Sequence, residues 1–215
     1  MAALQSMAAA TGSAIQAVTS TNEKATVFAA VLAAGGSQRF GRSKMLESIT
    51  GETLVRRATS LAREVCGDCS ILVVGHDACA VAAAAGDAPQ FVIVNDHYEQ
   101  GIGGSIALAA KAVSHVADAL LLLLADQPLV TAHHLQALVS AWDGADGVIV
   151  ATAFSATMGP PVLFPSAAFD ALGKLSGDQG AKALLKNSRF DVRTVPFEDA
   201  AIDIDTPADL KKLPD

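Results

Sequence analysis

Short apolar runs alternate with stretches of helical periodicity along most of the chain. Ala25 to Ala33 reads as a first strand, Ser70 to Gly75 as a second and Phe91 to Val94 as a third, each bounded by polar or glycine-containing segments. Ala119 to Ala125 is apolar throughout, as expected of a central strand buried on both faces. Helical spacing appears between the strands. Leu54, Ala58, Leu61, Ala62 and Val65 share one face of a helix predicted over Thr53 to Cys66. An alanine-rich helix ends near Gly86, and a glycine-rich loop leads into a helix over Ser105 to Val113. Thr131 is placed to cap a helix that buries Leu135, Leu138, Val139 and Trp142.

After a strand at Gly147 to Phe154 the pattern loosens. Gly159 to Gly180 holds Pro160, Pro161 and Pro165, and predicts an irregular stretch around one short helix. A helix at Ala181 to Lys186, strands near Val192 to Val195 and Ala201 to Ile204, and a last helix from Pro207 complete the reading, with Thr206 as cap and Asp209 three residues on. Strands alternating with helices predict an α/β chain, a three-layer Rossmann-like domain with a mostly parallel central sheet. Ligands of such sheets bind at the carboxyl ends of the strands, so the loops found there are the ones to search.

The loop after the first strand reads LAAGGSQRFGRSK, from Leu32 and Ala33 through Ala34, Gly35, Gly36, Ser37, Arg39 and Gly41 to Lys44. Glycines let the backbone bend so that its amides converge on an anion, and Arg39, Arg42 and Lys44 supply positive charge for a triphosphate. A P-loop is excluded, because Arg42 stands where its lysine belongs and a planar guanidinium is a poor substitute for a compact ammonium. Gly51 also cuts short the helix a P-loop must feed.

Two further loops carry carboxylates. Asp126 ends the leucine run, where a buried strand surfaces, and is a candidate magnesium ligand. In AIDIDTPADL, strand alternation puts Asp203 and Asp205 on one face and Ile202 and Ile204 on the other. Asp203 is the second metal candidate. Asp205 is read as a neighbour of the helix cap.

The chain has 215 residues, enough for one well-packed domain, expected over 25–215. Residues 1–24 read as a loosely ordered extension with room for a short helix over Ala8 to Val18. They lack a basic segment followed by an apolar core, and they lack arginine, which argues against secretory and mitochondrial signals. No apolar run approaches the roughly 18 residues of a membrane span. A net charge of −7 argues against nonspecific nucleic-acid binding, though not against a nucleotide held with a metal. Cys66, Cys69 and Cys79 tempt a zinc reading with His76, but the intervening strand would separate Cys69 and His76 by about 20 Å. They are read as reduced thiols in a cytoplasmic protein.

The spacing L-A-x-G-x-S-x-R-[MF]-G-x-x-K, met by Leu32, Ala33, Gly35, Ser37, Arg39, Phe40, Gly41 and Lys44, resembles the signature of the nucleotidyltransferase superfamily. Ala34, Gly101 to Ser105 (GIGGS), Asp126 to Pro128 (DQP), Leu175 to Ala181 (LSGDQGA) and the closing DIDTPADL bring the chain nearest to the molybdenum cofactor cytidylyltransferases. The likeness runs from about Thr26 to Leu213. It implies an enzyme that transfers CMP from CTP to molybdopterin cofactor with Mg2+ and releases pyrophosphate, in some cases for a recipient molybdoenzyme. It implies that Leu32 to Ser37, Arg39 and Lys44 hold the nucleotide, with Gly104 and Ser105 against the base or ribose unless Ser105 only caps its helix. Arg39, Lys44 and Asp126 would be catalytic, Asp126 and Asp203 would hold the metal, and Gly177, Asp178 and Gly180 would face the acceptor. Relatives commonly carry glycine-histidine-proline where this chain has Gly159, Pro160 and Pro161, a departure that bears on the acceptor.

A phosphate monoester is already nucleophilic near neutral pH, its second pKa lying near 6, so no strong general base is required. The obstacle is repulsion between two polyanions, which positioning and charge neutralisation overcome. The alternatives are the same transfer to another phosphorylated acceptor or from GTP, an NAD(P)H-dependent reductase reusing the nucleotide cradle, and a carrier that binds the pterin without consuming CTP.

Overall fold

The computed structural model describes residues 25–37, 40–186 and 189–213. The extension, including the helix expected at Ala8 to Val18, lies outside the described residues, and so does Arg39.

The sheet has seven strands in the order β5-β4-β1-β6-β8-β7-β9. They are β1 (Val27–Ala33), β4 (Ser70–Val74), β5 (Phe91–Val94), β6 (Ala119–Leu124), β7 (Val148–Phe154), β8 (Thr157–Pro165) and β9 (Asp191–Pro196), while β2 (Ser48–Ile49) and β3 (Glu52–Thr53) form a separate hairpin. Only β8 runs antiparallel to its neighbours in the large sheet. The mostly parallel three-layer arrangement expected from the strand–helix alternation is therefore present, with β6 at its centre.

Side-chain alternation along β1 divides the interior into two cores. Phe28, Ala30 and Leu32 face α3 (Ile102–Val113) and the short helices α5 (Phe169–Leu172) and α6 (Lys182–Leu185). Ala29, Val31 and Ala33 face α1 (Leu54–Cys66), α2 (Ala78–Ala85) and α4 (Ala132–Ala141). Both faces of β1 and β6 are covered, so their sequences are apolar at consecutive positions and not at alternate ones. Thr53 and Thr131 cap α1 and α4 through their side-chain oxygens, which accept from the Arg56 and His134 amides.

Three expectations need correction. Gly159 to Pro165 is not irregular but belongs to the nine-residue β8, lodged between β6 and β7. Its prolines are accommodated by position. Pro160 and Pro161 lie beyond the last β6 pair, Leu122 with Val162, and opposite a register shift at Ala151 and Thr152, where no ladder donor is required. Ala201 to Ile204 forms no strand; a 3-10 turn at Glu198–Ala201 is followed by an extended segment bonded to the β6 tip. The final helix is one 3-10 turn, Asp209–Lys212. Thr206 does not cap it: the turn starts from Ala208, and the backbone N–H and hydroxyl of Thr206 both donate to Asp209 Oδ2 at 2.8 Å.

Candidate functional site

At the carboxyl end of β1 the chain turns through Ala34 to Ser37. The Ala34 carbonyl accepts from the His76 amide, which ties the loop to the end of β4. Ser37 adopts φ +48°, and its Oγ accepts from the Lys44 amide at 3.1 Å. That bond folds the loop back on itself and returns Lys44 to the sheet edge.

Lys44 is buried, 8% exposed, and its Nζ donates to Asp126 Oδ2 at 2.7 Å and Asp205 Oδ1 at 3.0 Å. Burial alone would lower its pKa, but the charge of Asp126 and the hydrogen bonds to both carboxylates more than offset this and raise it above the ordinary 10.5. It is a fixed ammonium. Asp126 follows β6, and its carbonyl accepts from the Ile204 amide at 2.9 Å. The adjacent Gln127 amide donates to the carbonyls of Ala200 and, more weakly, Pro160, at 2.8 and 3.3 Å. Beneath this junction Phe40, Leu54 and Ile204 form a small separate core. The segment carrying Asp203 and Asp205 is thereby clamped to the tip of the central strand.

Asp203 has its pKa pushed up to about 6, by burial first and then by the charge of Asp126, with Asp205 adding; a hydrogen bond from Gln127 and the charge of Lys44 act the other way. Two carboxylates, Asp126 and Asp205, thus hold one ammonium, and Asp203 stands near enough to feel the charge of all three. Among the described residues no group of three or more His, Cys, Asp or Glu side chains forms a ready metal cage. Magnesium does not ask for one. It is commonly held by one or two carboxylates, water and substrate phosphates, and Asp126 with Asp203 fits that donor set.

The loop, Asp126 and Asp205 edge a cleft of about 850 Å3, whose lining does not include Asp203. Leu32, Ala34, Gly35, Gly36, Ser37, Lys44, Ser105 and Asp126 all line it, so most of the sequence-derived candidates meet in one place. Ala33 instead points into the α1-side core. Gly104 backs onto Asn95, whose amide would stand 3.4 Å from an added Cβ. Ser105 is not a cap; α3 begins at Ile102 with Gly101 as N-cap, which puts Ser105 inside the first turn.

Gly177 and Asp178 pack against the start of α3. A Cβ on Gly101 would clash with the Gly177 carbonyl, and the Gly103 amide donates to that same oxygen at 2.9 Å. The GIGGS and LSGDQGA segments therefore form one unit, whereas Gly180 has open space around it.

The sequence reading missed His76, Tyr98, Glu99, Met45, Leu124 and Asp205, which also line the cleft together with Gly101 and Ile102 of the GIGGS segment. Tyr98 lies against Gly75 so closely that a Cβ there would meet the Tyr98 Cβ at 2.5 Å and the Ala34 carbonyl at 2.8 Å. Asp205 had a usable signal in its alternation with Asp203. Tyr98 had none beyond its nearness to the glycine-rich segment.

Residues 29–193 match the MobA-like NTP transferase domain. Purine catabolism protein PucB of Bacillus subtilis is 34% identical over 82% of this chain and 90% of its own length. Nicotine blue oxidoreductase of Paenarthrobacter nicotinovorans is 30% identical over 85% of this chain and 94% of its own. The crystal structure of Rv0371c from Mycobacterium tuberculosis superimposes with a TM-score of 0.79 at 29% identity, covering 89% of this chain and 98% of that one. Its complex with manganese gives 0.72 at 28% identity, over 87% and 97%. The chain belongs to the MobA-like NTP transferase family of nucleotidyltransferase enzymes.

Proposed function

We propose that this enzyme transfers CMP from CTP to the terminal phosphate of molybdopterin cofactor and releases pyrophosphate. The observation that carries the reading is Lys44, held between Asp126 and Asp205 at the mouth of a glycine loop. One ammonium and a cluster of carboxylates at the end of a phosphate-sized bend are what a reaction between two polyanions requires. An acceptor phosphate oxygen forms a bond to the α-phosphorus, the bridge from that phosphorus to the β-phosphate breaks, and pyrophosphate leaves with the bonding electrons.

In this reading the backbone of Leu32 to Ser37 and the Lys44 ammonium, with Arg39, receive the triphosphate, and Ser105 with Gly104 serves the nucleoside. Asp126 and Asp203 would hold Mg2+, which when bound supplies positive charge against the departing pyrophosphate. Support for a divalent ion comes from the manganese complex of Rv0371c. Gly177 and Asp178 lie where α3 begins and would shape the acceptor side; Gly180 completes that loop. The prolines at Pro160 and Pro161, in place of the usual histidine, leave room for a different phosphorylated acceptor. Residues 25–215 act as one cytoplasmic domain behind the extension. A molybdoenzyme receiving the product is the natural partner.

The test is pyrophosphate release with molybdopterin cofactor as acceptor, comparing CTP with GTP, with and without Mg2+. Release confined to CTP, acceptor and Mg2+ together supports the proposal. A second reading has one observation in its favour, the 30% identity to a relative named as an oxidoreductase. NAD(P)H oxidation by the same preparation, with no CTP turnover, would replace the first reading by the second.

A further inference from the structure

Asn95, directly after β5, is buried and lies outside every motif of the sequence reading. Its Oδ1 accepts from the His97 backbone N–H at 3.0 Å, and its Nδ2 donates to Ser105 Oγ at 2.9 Å. The first bond fixes the amide's orientation, because a backbone N–H can only donate. Ser105 Oγ is therefore an acceptor toward Asn95. Among the described residues its hydrogen has no protein acceptor, and Ser105 lines the cleft. Gly104 lies beside this pair, and a Cβ there would stand in contact with Asn95 Nδ2 at 3.4 Å.

From this arrangement we infer that Asn95 is a positioning residue that fixes the Ser105 hydroxyl as a hydrogen-bond donor facing the cleft, so that this point of the nucleoside subsite takes an acceptor atom. The inference rests on the reading that the cleft holds a nucleoside triphosphate. A cytosine ring offers acceptors at its 2-carbonyl and N3, whereas the matching positions of guanine, the 2-amino group and N1–H, are donors. Asn95 thus selects for the pyrimidine without touching it.

Asn95→Asp provides the sharp test. A carboxylate can still accept from the His97 amide, but it only accepts, so the Ser105 hydroxyl must turn its hydrogen inward and present a lone pair to the cleft. CTP binding, measured by calorimetry without any acceptor substrate, should weaken about ten- to hundredfold, as expected when a buried hydrogen bond becomes a mismatch. Ser105→Ala should weaken it to a similar degree, and the double variant should lose no more than the worse single one. Pyrophosphate binding, which bypasses the base, should change less than about twofold; this separates polarity from the added charge. Asn95→Ala, which carries no charge, serves as the second variant if Asn95→Asp does not fold, with a smaller loss that is again absent in the Ser105→Ala background. Undiminished CTP binding by either Asn95 variant, or additive losses in the double variant, overturns the inference while the cleft keeps its nucleotide. Wild-type protein that binds no nucleoside triphosphate removes the reading of the cleft, and the inference with it.

Discussion

Lys44 Nζ stands 2.7 Å from Asp126 Oδ2, which joins the end of the glycine loop to the tip of the central strand across 82 positions of sequence. Both are side chains of limited exposure, 11% and 21%, so the pair is neither a surface ion pair of little consequence nor a fully desolvated one. Asp205, at 52%, closes the bridge from the solvent side.

Removing the ammonium leaves Asp126 and Asp205 without the cation they share. Lys44→Ala should therefore destabilise the metal-free protein by about 2–3 kcal/mol, seen as a lowered denaturant midpoint. Asp126→Asn should cost less stability yet lower turnover about a hundredfold or more, because it removes the negative charge that positions the Lys44 ammonium and that would hold the metal. Equal turnover in wild type and Asp126→Asn would take Asp126 out of the chemistry.

The raised Asp203 makes an opposite prediction for stability. A carboxyl whose folded pKa lies near 6, above its ordinary 3.8, favours folding below about pH 4, and that contribution is lost as pH rises through 6. At pH 7.5 the ionised group works against the fold, modestly, because Asp203 keeps contact with solvent. Asp203→Asn should accordingly raise the melting temperature at pH 7.5 and leave it nearly unchanged at pH 4. A lower melting temperature at pH 7.5 would show that Asp203 is satisfied where it stands.

The elements easiest to foresee were those whose burial is total. Five leucines in a row at β6 and the small apolar residues of β1 have one reasonable reading, and both strands lie where expected. The hairpin of β7 and β8 was hidden by its turn. Ser155 and Ala156 adopt φ +46° and +56°, conformations usually signalled by Asn-Gly, and the prolines that follow read as loop. At the site, the glycine loop and Asp126 were legible because their chemistry is concentrated in a few adjacent residues. Asp205 was set aside as a cap neighbour, and its backbone N–H does donate to Asp209 at 3.2 Å while its carboxylate accepts from Lys44. Tyr98 and Asn95 act through packing and hydrogen bonding with distant partners, which no local pattern encodes.

Gly75→Ala tests the part of the cleft lined by Tyr98. The new Cβ would clash with the Tyr98 Cβ and with the Ala34 carbonyl, and the latter is backbone that cannot turn aside. The variant should lose about 1–3 kcal/mol and bind CTP at least several-fold more weakly, since the strain is shared between Tyr98 and the first residue of the glycine loop. Gly147→Ala, with nothing near its Cβ, is the control and should match wild type in both measurements. If Gly75→Ala also matches wild type, the close approach of Tyr98 has no bearing on the cleft.

His134 supplies the clearest dependence on pH away from the site. It is buried, 3% exposed, and stacked on Phe197 with ring centroids 4.4 Å apart. Thr152 Oγ1 donates to the Pro161 carbonyl at 2.7 Å, so the same oxygen accepts from His134 Nε2 at 2.8 Å, and the neutral imidazole carries its proton on Nε2. Burial first, and the neighbouring His133 second, push its pKa down to about 4 from 6.5. The unfolded chain then binds the extra proton first, so the neutral His134 contributes fully above pH 6.5, and its contribution fades as pH falls toward 4. The loss amounts to at most about 3 kcal/mol. His134→Gln, which keeps a donor for Thr152 but cannot titrate, should flatten the fall in melting temperature between pH 6.5 and 4. Proton NMR of the His134 ring in the wild type should show a midpoint near 4, and a midpoint near 6.5 would mean that this imidazole is open to water and leaves the Thr152–Pro161 link without its third member.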